Sequence, residues 1–334
     1  MIQRRTLIGA IGAVALSSAY YFPMTACAAL PRGEGSDPIR IVVPYPPGGP
    51  LDVSARTIAE AVTGALGNVI VDNRPGAGGS VGMGYVKRQK GDGRTMVVGA
   101  VATHAINPHL YKRLPYDAEK DFKTVTLIAH VPNVLVVTPE FAAKTGVKTV
   151  QDLVAYAKAH PGKLNYASGG NGSAGHMAGE WLKKSAAIDM VHVPFAGAAA
   201  AQISVLAGQT DLIFDNLANA TANIRAGKLV ALAVTTPVRA KALPDVPTMQ
   251  EAGVANFDIS TWYGLFVPAK TPDDVVAHLN KAVTDALRSE EVAARLEKLG
   301  GVASPTTPEA FAQLVKADSA KYAELVKLSG ARVD

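Results

Sequence analysis

The amino-acid sequence predicts an α/β protein of about two domains or lobes. Three observations carry that prediction. The chain has 334 residues, whereas a single domain commonly takes roughly 150. Short apolar runs alternate with amphipathic helical patterns along most of it, as parallel strands joined by crossover helices require. The composition supplies a large core: 48% of residues are hydrophobic and only 18% are charged, which is globular rather than disordered.

The first candidate strand is the apolar run Ile39–Pro44. Asp52–Leu66 follows as a helix, with Val53, Ala55, Ile58 and Val62 near one face. Val69–Asp72 and Thr95–Ala100 read as strands around a helix at Ser80–Gln89. After a strand at Val134–Val137, helix and strand alternate: Val150–Ala159, Leu164–Ala167, Ala174–Ser185, Met190–Pro194, Ala198–Ala207, Asp211–Phe214, Thr221–Ala226 and Leu229–Thr235. Trp262–Pro268 is a further strand. The tail is helical only. Pro272–Ser289 starts from Thr271 as N-cap, with two aspartates in its first turn. Pro308–Ser329 ends at Gly330, a typical helix stop. These last helices are expected to pack on the first lobe.

The N-terminus reads as a processing segment. In "MIQRRTLIGAIGAVAL", Arg4 and Arg5 precede an apolar run from Leu7 to Leu16. That run is shorter than the ~20 residues a spanning helix needs. With the small-residue site Ala26-Cys27-Ala28 it makes a secretory signal over residues 1–28, cleaved after Ala28. The arginine pair fits the twin-arginine route, and lipid attachment at Cys27 is the rival outcome. The expected location is periplasmic. Cys27 is the only cysteine, so the mature chain has no disulfide, thiol nucleophile or cysteine metal site. Loss of Arg4 and Arg5 takes the formal charge from +5 to +3. That mild excess suits small anions. With no basic run, nucleic acid is not an expected partner.

Two strand-to-helix junctions stand out. One is "IVVPYPPGGPLDVSARTIAEAV", in which a stiff, uncharged, glycine-bearing loop opens a helix. The other is "YASGGNGSAGHM", Tyr166 to Met177. Ligands of parallel sheets bind beyond the carboxyl ends of the strands. A helix start with glycine offers free backbone N–H groups, an anion site without a cationic side chain. Catalytic and nucleotide motifs fail: Gly49 is followed by Pro50-Leu51 rather than the lysine of a phosphate loop. "GAGGSVGMG" has Val81 where a dinucleotide fingerprint needs glycine, and "NGSAG" lacks the first glycine of a serine-hydrolase elbow. His104 and His109 have no carboxylate set to complete a metal site. No cofactor and no metal are expected.

"VPYPPGGPLDVSAR" closely resembles the signature loop of the Bordetella uptake gene family, the periplasmic receptors of tripartite tricarboxylate transporters. "DNRPGAGGSVG", "THAINPHLYKRLPYD", "NVLVV", "NYASGGNGSAGHMAGE", "HVPFAG", "GQTDLIFDN", "GKLVALAVTT", "LPDVPTMQEAG" and "WYGLFVPA" look like further family blocks in family order. The resemblance implies a two-lobed, type II-like periplasmic binding protein, each lobe a sheet flanked by helices, with two crossover strands as hinge. The crossovers are placed near Val134–Thr138 and Trp262–Pro268. Lobe 1 would take 37–138 with 263–334 returning to it, and lobe 2 would take 139–262. The implied role is capture of a small carboxylate for a membrane transporter of the tripartite tricarboxylate type or a sensor, by a monomer that is not an enzyme.

The candidate ligand-binding residues follow from the junctions and the family blocks. In the opening loop they are Tyr45, Pro47, Gly48 and Gly49, with the free N–H groups of the two glycines as donors. Asp52 reads as a first-turn helix stabiliser. Thr103, His104 and Asn107 follow a strand. Ser168, Gly170, Asn171 and His176 belong to the second junction, where Ser173 reads as an N-cap. Phe195, Ala196 and Gly197 lie in "HVPFAG", and Asp215 ends a strand, where it would touch ligand or fix a loop. Arg74 and Trp262 read as structural. The alternative function is a secreted hydrolase using Ser173 and His176. Two departures bear on the ligand: Phe195 and Ala196 stand where the family commonly has Tyr-Lys, and Leu51 where it often has Thr. Both remove polar groups, which favours a ligand with one carboxylate head and a hydrophobic or aromatic remainder.

Overall fold

The computed structural model describes residues 37–333 apart from Leu299. The expected signal segment, its cleavage site and Cys27 lie outside the described residues. The chain starts with β1 (Ile39–Val43), α1 (Pro50–Leu66), β2 (Val69–Asn73), α2 (Ser80–Val86) and β3 (Thr95–Ala100). A π-helical turn at Ala102–Ile106 leads into α3 (Asn107–Leu110) and the long strand β4 (Phe122–Val137). Then come α4 (Pro139–Thr145), α5 (Val150–Ala159), β5 (Asn165–Ser168), α6 (Ala174–Ala186), β6 (Val191–Pro194), α7 (Ala198–Leu206), β7 (Leu212–Asn216), α8 (Leu217–Arg225) and β8 (Val230–Val234). The chain closes with β9 (Ser260–Pro268), α9 (Asp273–Leu287), α10 (Glu290–Lys298), β10 (Val302–Ala303) and α11 (Pro308–Ser329).

The strands run in the order β2-β1-β3-β9-β4-β7-β5-β6. In the first lobe β1 is parallel to β2 and β3, and β9 is antiparallel to β3 and β4. In the second, β5 is parallel to β6 and β7, while β4 pairs antiparallel with β7 and β8. Strand β4 therefore serves both lobes. Its 16 residues span about 50 Å. Residues up to Pro132 pair with β9, and those from Asn133 pair with β7. Pro132 has no N–H for a ladder, and it sits where β4 changes partners. The return crossing is tied to the same point. Thr235 N–H donates to Asn133 O at 2.9 Å, and Ile259 N–H donates to Thr235 O at 3.1 Å.

Alternation along β1 fills both faces of the first sheet. Ile41 and Val43 join the core under α1 and α9, with Ile58, Val62 and Val283. Val42 joins the opposite core with Met83, Ile106 and Phe311. Helix α11 covers that side and also packs on α6 of the second lobe, beyond the single lobe expected of the tail. It is pinned by Trp262 Nε1, which donates to Asp318 Oδ2 at 2.6 Å, and by Tyr322 Oη, which donates to Ser260 O at 3.1 Å. Thr271 is not the cap of α9. Its buried hydroxyl turns back to Pro268 O at 2.7 Å, and Pro272, extended at φ −60° and ψ 148°, precedes the helix.

Candidate carboxylate-binding site

A cavity of about 260 Å³ lies where the two lobes face each other. It sits beyond the carboxyl ends of the parallel strands. Four helix starts reach it: α1 through Gly49–Asp52, α6 through Ser173–Gly175, α7 through Gly197–Ala200 and α8 through Asn216. The first N–H groups of a helix have no intrahelical acceptor, and each helix start carries roughly half a positive charge. Among the described residues no lysine or arginine lines the cavity, and the only carboxylates there are Asp52 and Asp215. The remaining wall is mostly apolar, with Leu51 and the Ala100–Ala102 corner facing Ala199, Ala200 and Ile203.

Pro50 takes the first helical position, where its missing N–H is no loss. Gly48 has φ 84°, a left-handed turn that favours glycine. Its N–H is not free: it donates to Asp52 Oδ2 at 2.9 Å. Arg56 grips the same carboxylate as a fork, Nε to Oδ2 and an Nη to Oδ1, both at 3.0 Å. Asn73 Nδ2 donates to Asp52 Oδ1 at 2.9 Å and to Tyr45 O at 3.1 Å. Burial works against ionisation of Asp52. Hydrogen bonds from Arg56, Gly48 N–H and Asn73 outweigh it and hold the carboxyl below its ordinary value. Asp52 is thus the clasp of the loop, which leaves Tyr45, Pro47 and Gly49 on the cavity wall and Gly48 outside it.

The second junction works differently from expectation. Ser173 caps α6, accepting from His176 N–H at 3.2 Å, and lines the cavity. His176 is buried behind it, with Nδ1 accepting from Gly172 N–H at 3.2 Å and the ring stacked on His192 at 4.0 Å. Burial lowers the His176 pKa to about 4. Ser168 is fully buried and pairs through Oγ with His192 Nε2 at 2.6 Å. Gly170 donates its N–H to Ser168 Oγ at 3.2 Å. Ser168, Gly170, Asn171 and His176 therefore shape the loop, and Gly169, Ser173, Ala174 and Gly175 form the wall. Ser173 Oγ meets a backbone N–H rather than an imidazole, so the Ser173/His176 pair is not a catalytic dyad.

His104 is turned into the first-lobe core, away from the cavity. Its ring stacks on Phe266 at 3.6 Å and Nδ1 pairs with Thr103 Oγ1 at 3.0 Å. Burial pushes its pKa down to about 3. Thr103 Oγ1 closes the turn after β3 on Ala100 O at 3.1 Å. Asn107 donates to Gly78 O at 2.9 Å. These three residues buttress Ala100–Ala102, which lines the cavity in their place. In "HVPFAG", Ala196 and Gly197 line it, while Phe195 packs against core residues. The two lobes approach closely at the rim: a Cβ on Gly197 would lie 3.6 Å from Pro46 Cδ.

Asp215 ends β7 and is 1% exposed. Burial pushes its carboxyl up to about 7, against hydrogen bonds from Asn219, Gln202 and the Asn216 backbone. The candidate residues reach the start of α7 through Gly197 but leave out Ala198–Ala200 and Asn216 before α8, which also line the cavity. Gly197 followed by Ala198, Ala199 and Ala200 after a strand is the same kind of signal as the opening loop.

Two sheet-and-helix lobes sharing a crossover strand, with helix starts converging on a cavity between them, define a solute-binding protein. The sequence profile of the "Tripartite tricarboxylate transporter family receptor" matches residues 54–330. The chain is 36% identical over 293 residues to the "UPF0065 protein in tcbD-tcbE intergenic region" of Pseudomonas sp. strain P51, covering 87% of this chain and 86% of that one. Among solved structures, "R. palustris Rpa4515 with adipate" superposes with TM-score 0.85 at 32% identity, covering 90% of this chain and all of that one. "MatC (Rpa3494) from Rhodopseudomonas palustris with bound malate" gives TM-score 0.82 at 33% identity, covering 86% and 98%. The chain belongs to the tripartite tricarboxylate transporter receptor family, the Bug proteins, whose members are substrate-binding receptors of the periplasm. Among the described residues no helix is long and apolar enough to cross a membrane, and no cluster of His, Cys, Asp and Glu is suited to a metal ion.

Proposed function

We propose that this receptor captures a small organic carboxylate in the interlobe cavity and delivers it to membrane subunits of a tripartite tricarboxylate-type transporter. One observation carries the reading: four helix starts converge on a cavity that no cationic side chain among the described residues lines. The magnitudes agree with it. Micromolar affinity needs about 8 kcal/mol, and a hydrogen bond to a charged group contributes ~1.5–3 kcal/mol. Four or more backbone donors reach that range after the costs of ordering and closure. Adipate in the Rpa4515 structure and malate in the MatC structure are ligands of the same chemical class.

The wall of Leu51, Ala199, Ala200 and Ile203 favours an apolar or aromatic body behind the carboxylate head, each buried Å² adding about 25 cal/mol. A benzoate-type acid should therefore compete better than citrate. A thermal-shift screen of mono-, di- and tricarboxylates tests the reading, since a ligand raises the melting point by mass action. At least one acid should stabilise the protein. No shift with any acid, or turnover of a chromogenic ester, would overturn it. Export by the N-terminal segment is part of the same proposal, with the mature chain beginning at Ala29. Mass spectrometry of the native protein should find that terminus, and a retained Cys27 with acyl mass would replace it with a lipoprotein.

A further inference from the structure

Asp215 sits at the floor of the cavity with its two carboxylate oxygens in different situations. Oδ2 accepts from Gln202 Nε2 and from Asn219 Nδ2, both at 2.7 Å. Gln202 is itself fixed, with Nε2 also on Asn219 O at 3.0 Å and Oε1 accepting from Asn223 Nδ2 at 2.5 Å. The carboxylate cannot rotate to share its bonds without breaking that set. Oδ1 is buried and has no hydrogen-bond partner among the described residues. Asp215 nevertheless lines the cavity, and no lysine or arginine among the described residues does. A buried acceptor without a donor is costly, so the missing donor is expected from whatever occupies the cavity. Burial raises the carboxyl's pKa to about 7, against hydrogen bonds from Asn219, Gln202 and the Asn216 backbone.

The neighbours of Asp215 set where that donor belongs. Asn216 precedes α8, and Gly175 at the start of α6 packs against Phe214 O. A carboxylate head on these helix starts places the adjoining carbon beside Asp215. The geometry points to Asp215 Oδ1 as the acceptor for a hydroxyl or ammonium group next to the ligand's carboxylate, so that the receptor selects hydroxy- or amino-acids over their unsubstituted counterparts. This rests on the carboxylate reading above. The donor also separates two like charges, since it lies between the Asp215 carboxylate and the ligand's own.

Calorimetry of the mature protein at pH 7 with matched acids tests the inference: mandelate against phenylacetate, and malate against succinate. Within a pair that binds, the hydroxylated member should bind about 10- to 100-fold more tightly. In Asp215→Asn the amide oxygen keeps the Oδ2 bonds to Gln202 and Asn219, and its NH₂ puts a donor where Oδ1 was. The preference should then shrink to less than about threefold or reverse. Equal affinities within both pairs in the wild type would overturn the inference, even if Asp215→Asn fails to fold. So would an Asp215→Asn variant that weakens both members alike, since a structural role lowers both and leaves the ratio. If none of the four acids binds, the comparison passes to the hydroxylated and unsubstituted forms of an acid that raises the melting point: equal affinities there overturn the inference, and no shift with any acid overturns the carboxylate reading.

Discussion

Asp52 and Asp215 border the same cavity from opposite lobes and are almost equally buried, at 3% and 1% exposed. Their environments nevertheless drive them in opposite directions. Asp52 receives donors on both oxygens, and these hold it below its ordinary pKa, whereas burial prevails at Asp215, whose Oδ1 has no partner within hydrogen-bond geometry among the described residues, and raises it to about 7. Burial alone does not distinguish a clasp from a recognition group. The hydrogen-bond partners do: the carboxylate with donors on both oxygens holds a loop, and the one with an unpartnered oxygen belongs to a residue that lines the cavity.

The largest expected effect comes from the loop that Asp52 holds. Gly49 has φ −81°, and a Cβ there would meet only Pro46 O, at 3.8 Å. A valine therefore fits the backbone but crowds the wall. Gly49→Val should weaken acid binding at least ~100-fold, about 2.7 kcal/mol, with the melting point little changed. Unchanged affinity in a folded variant would remove the loop from the site.

Asp52→Ala comes next. It leaves Gly48 N–H, Asn73 and Arg56 without their acceptor, and should cost about 2–3 kcal/mol in denaturant unfolding; Arg56 is half exposed, which limits the loss. Asp215→Ala should cost less, about 1 kcal/mol, because one oxygen was never paired. Equal losses at the two sites would erase the distinction between them.

The pH dependence sharpens it further. The raised pKa of Asp215 means that the unfolded chain releases this proton first. Its contribution to stability is therefore present below about pH 4 and is lost as pH rises towards about 7, by ~1.4 kcal/mol per unit. Buried neutral histidines act in the opposite sense. His104 is held at about 3 and His176 at about 4, so the unfolded chain takes up their protons first and stability falls as pH drops below ~6.5. The wild-type curve sums these effects, and the difference between wild type and Asp215→Asn isolates one. That difference should slope between pH 4 and 7 and flatten above 7. A flat difference throughout would show that Asp215 keeps an ordinary pKa. Gly48→Ala has the smallest expected effect. It forces an alanine to φ 84° and should cost about 1 kcal/mol of stability, with binding nearly intact.

The parts of this arrangement legible in the sequence are those that rest on local chemistry. The Pro-Gly loop before α1, the Ser173 cap and most alternating strands and helices depend on nearby residues. The sequence pattern marks β4 only at Val134–Val137, because Pro132 interrupts it and its first half is defined by pairing with distant β9. His104 follows a strand as a site residue would, but its side chain is set by Phe266, which no local pattern announces. Gly48 has the local pattern of a free donor, but Asp52, four residues on, takes its N–H. The role of Asp215 depends on Gln202 and Asn219, and its free oxygen is visible only when all three are placed.

The most direct measurement is a crystal structure of the mature protein with a bound carboxylic acid. The carboxylate should lie between the lobes, within ~2.7–3.2 Å of backbone N–H groups at the starts of α1, α6, α7 or α8, with no lysine or arginine in contact. A carboxylate held instead by basic side chains, or seated outside the interlobe cavity, would contradict a site built from helix starts.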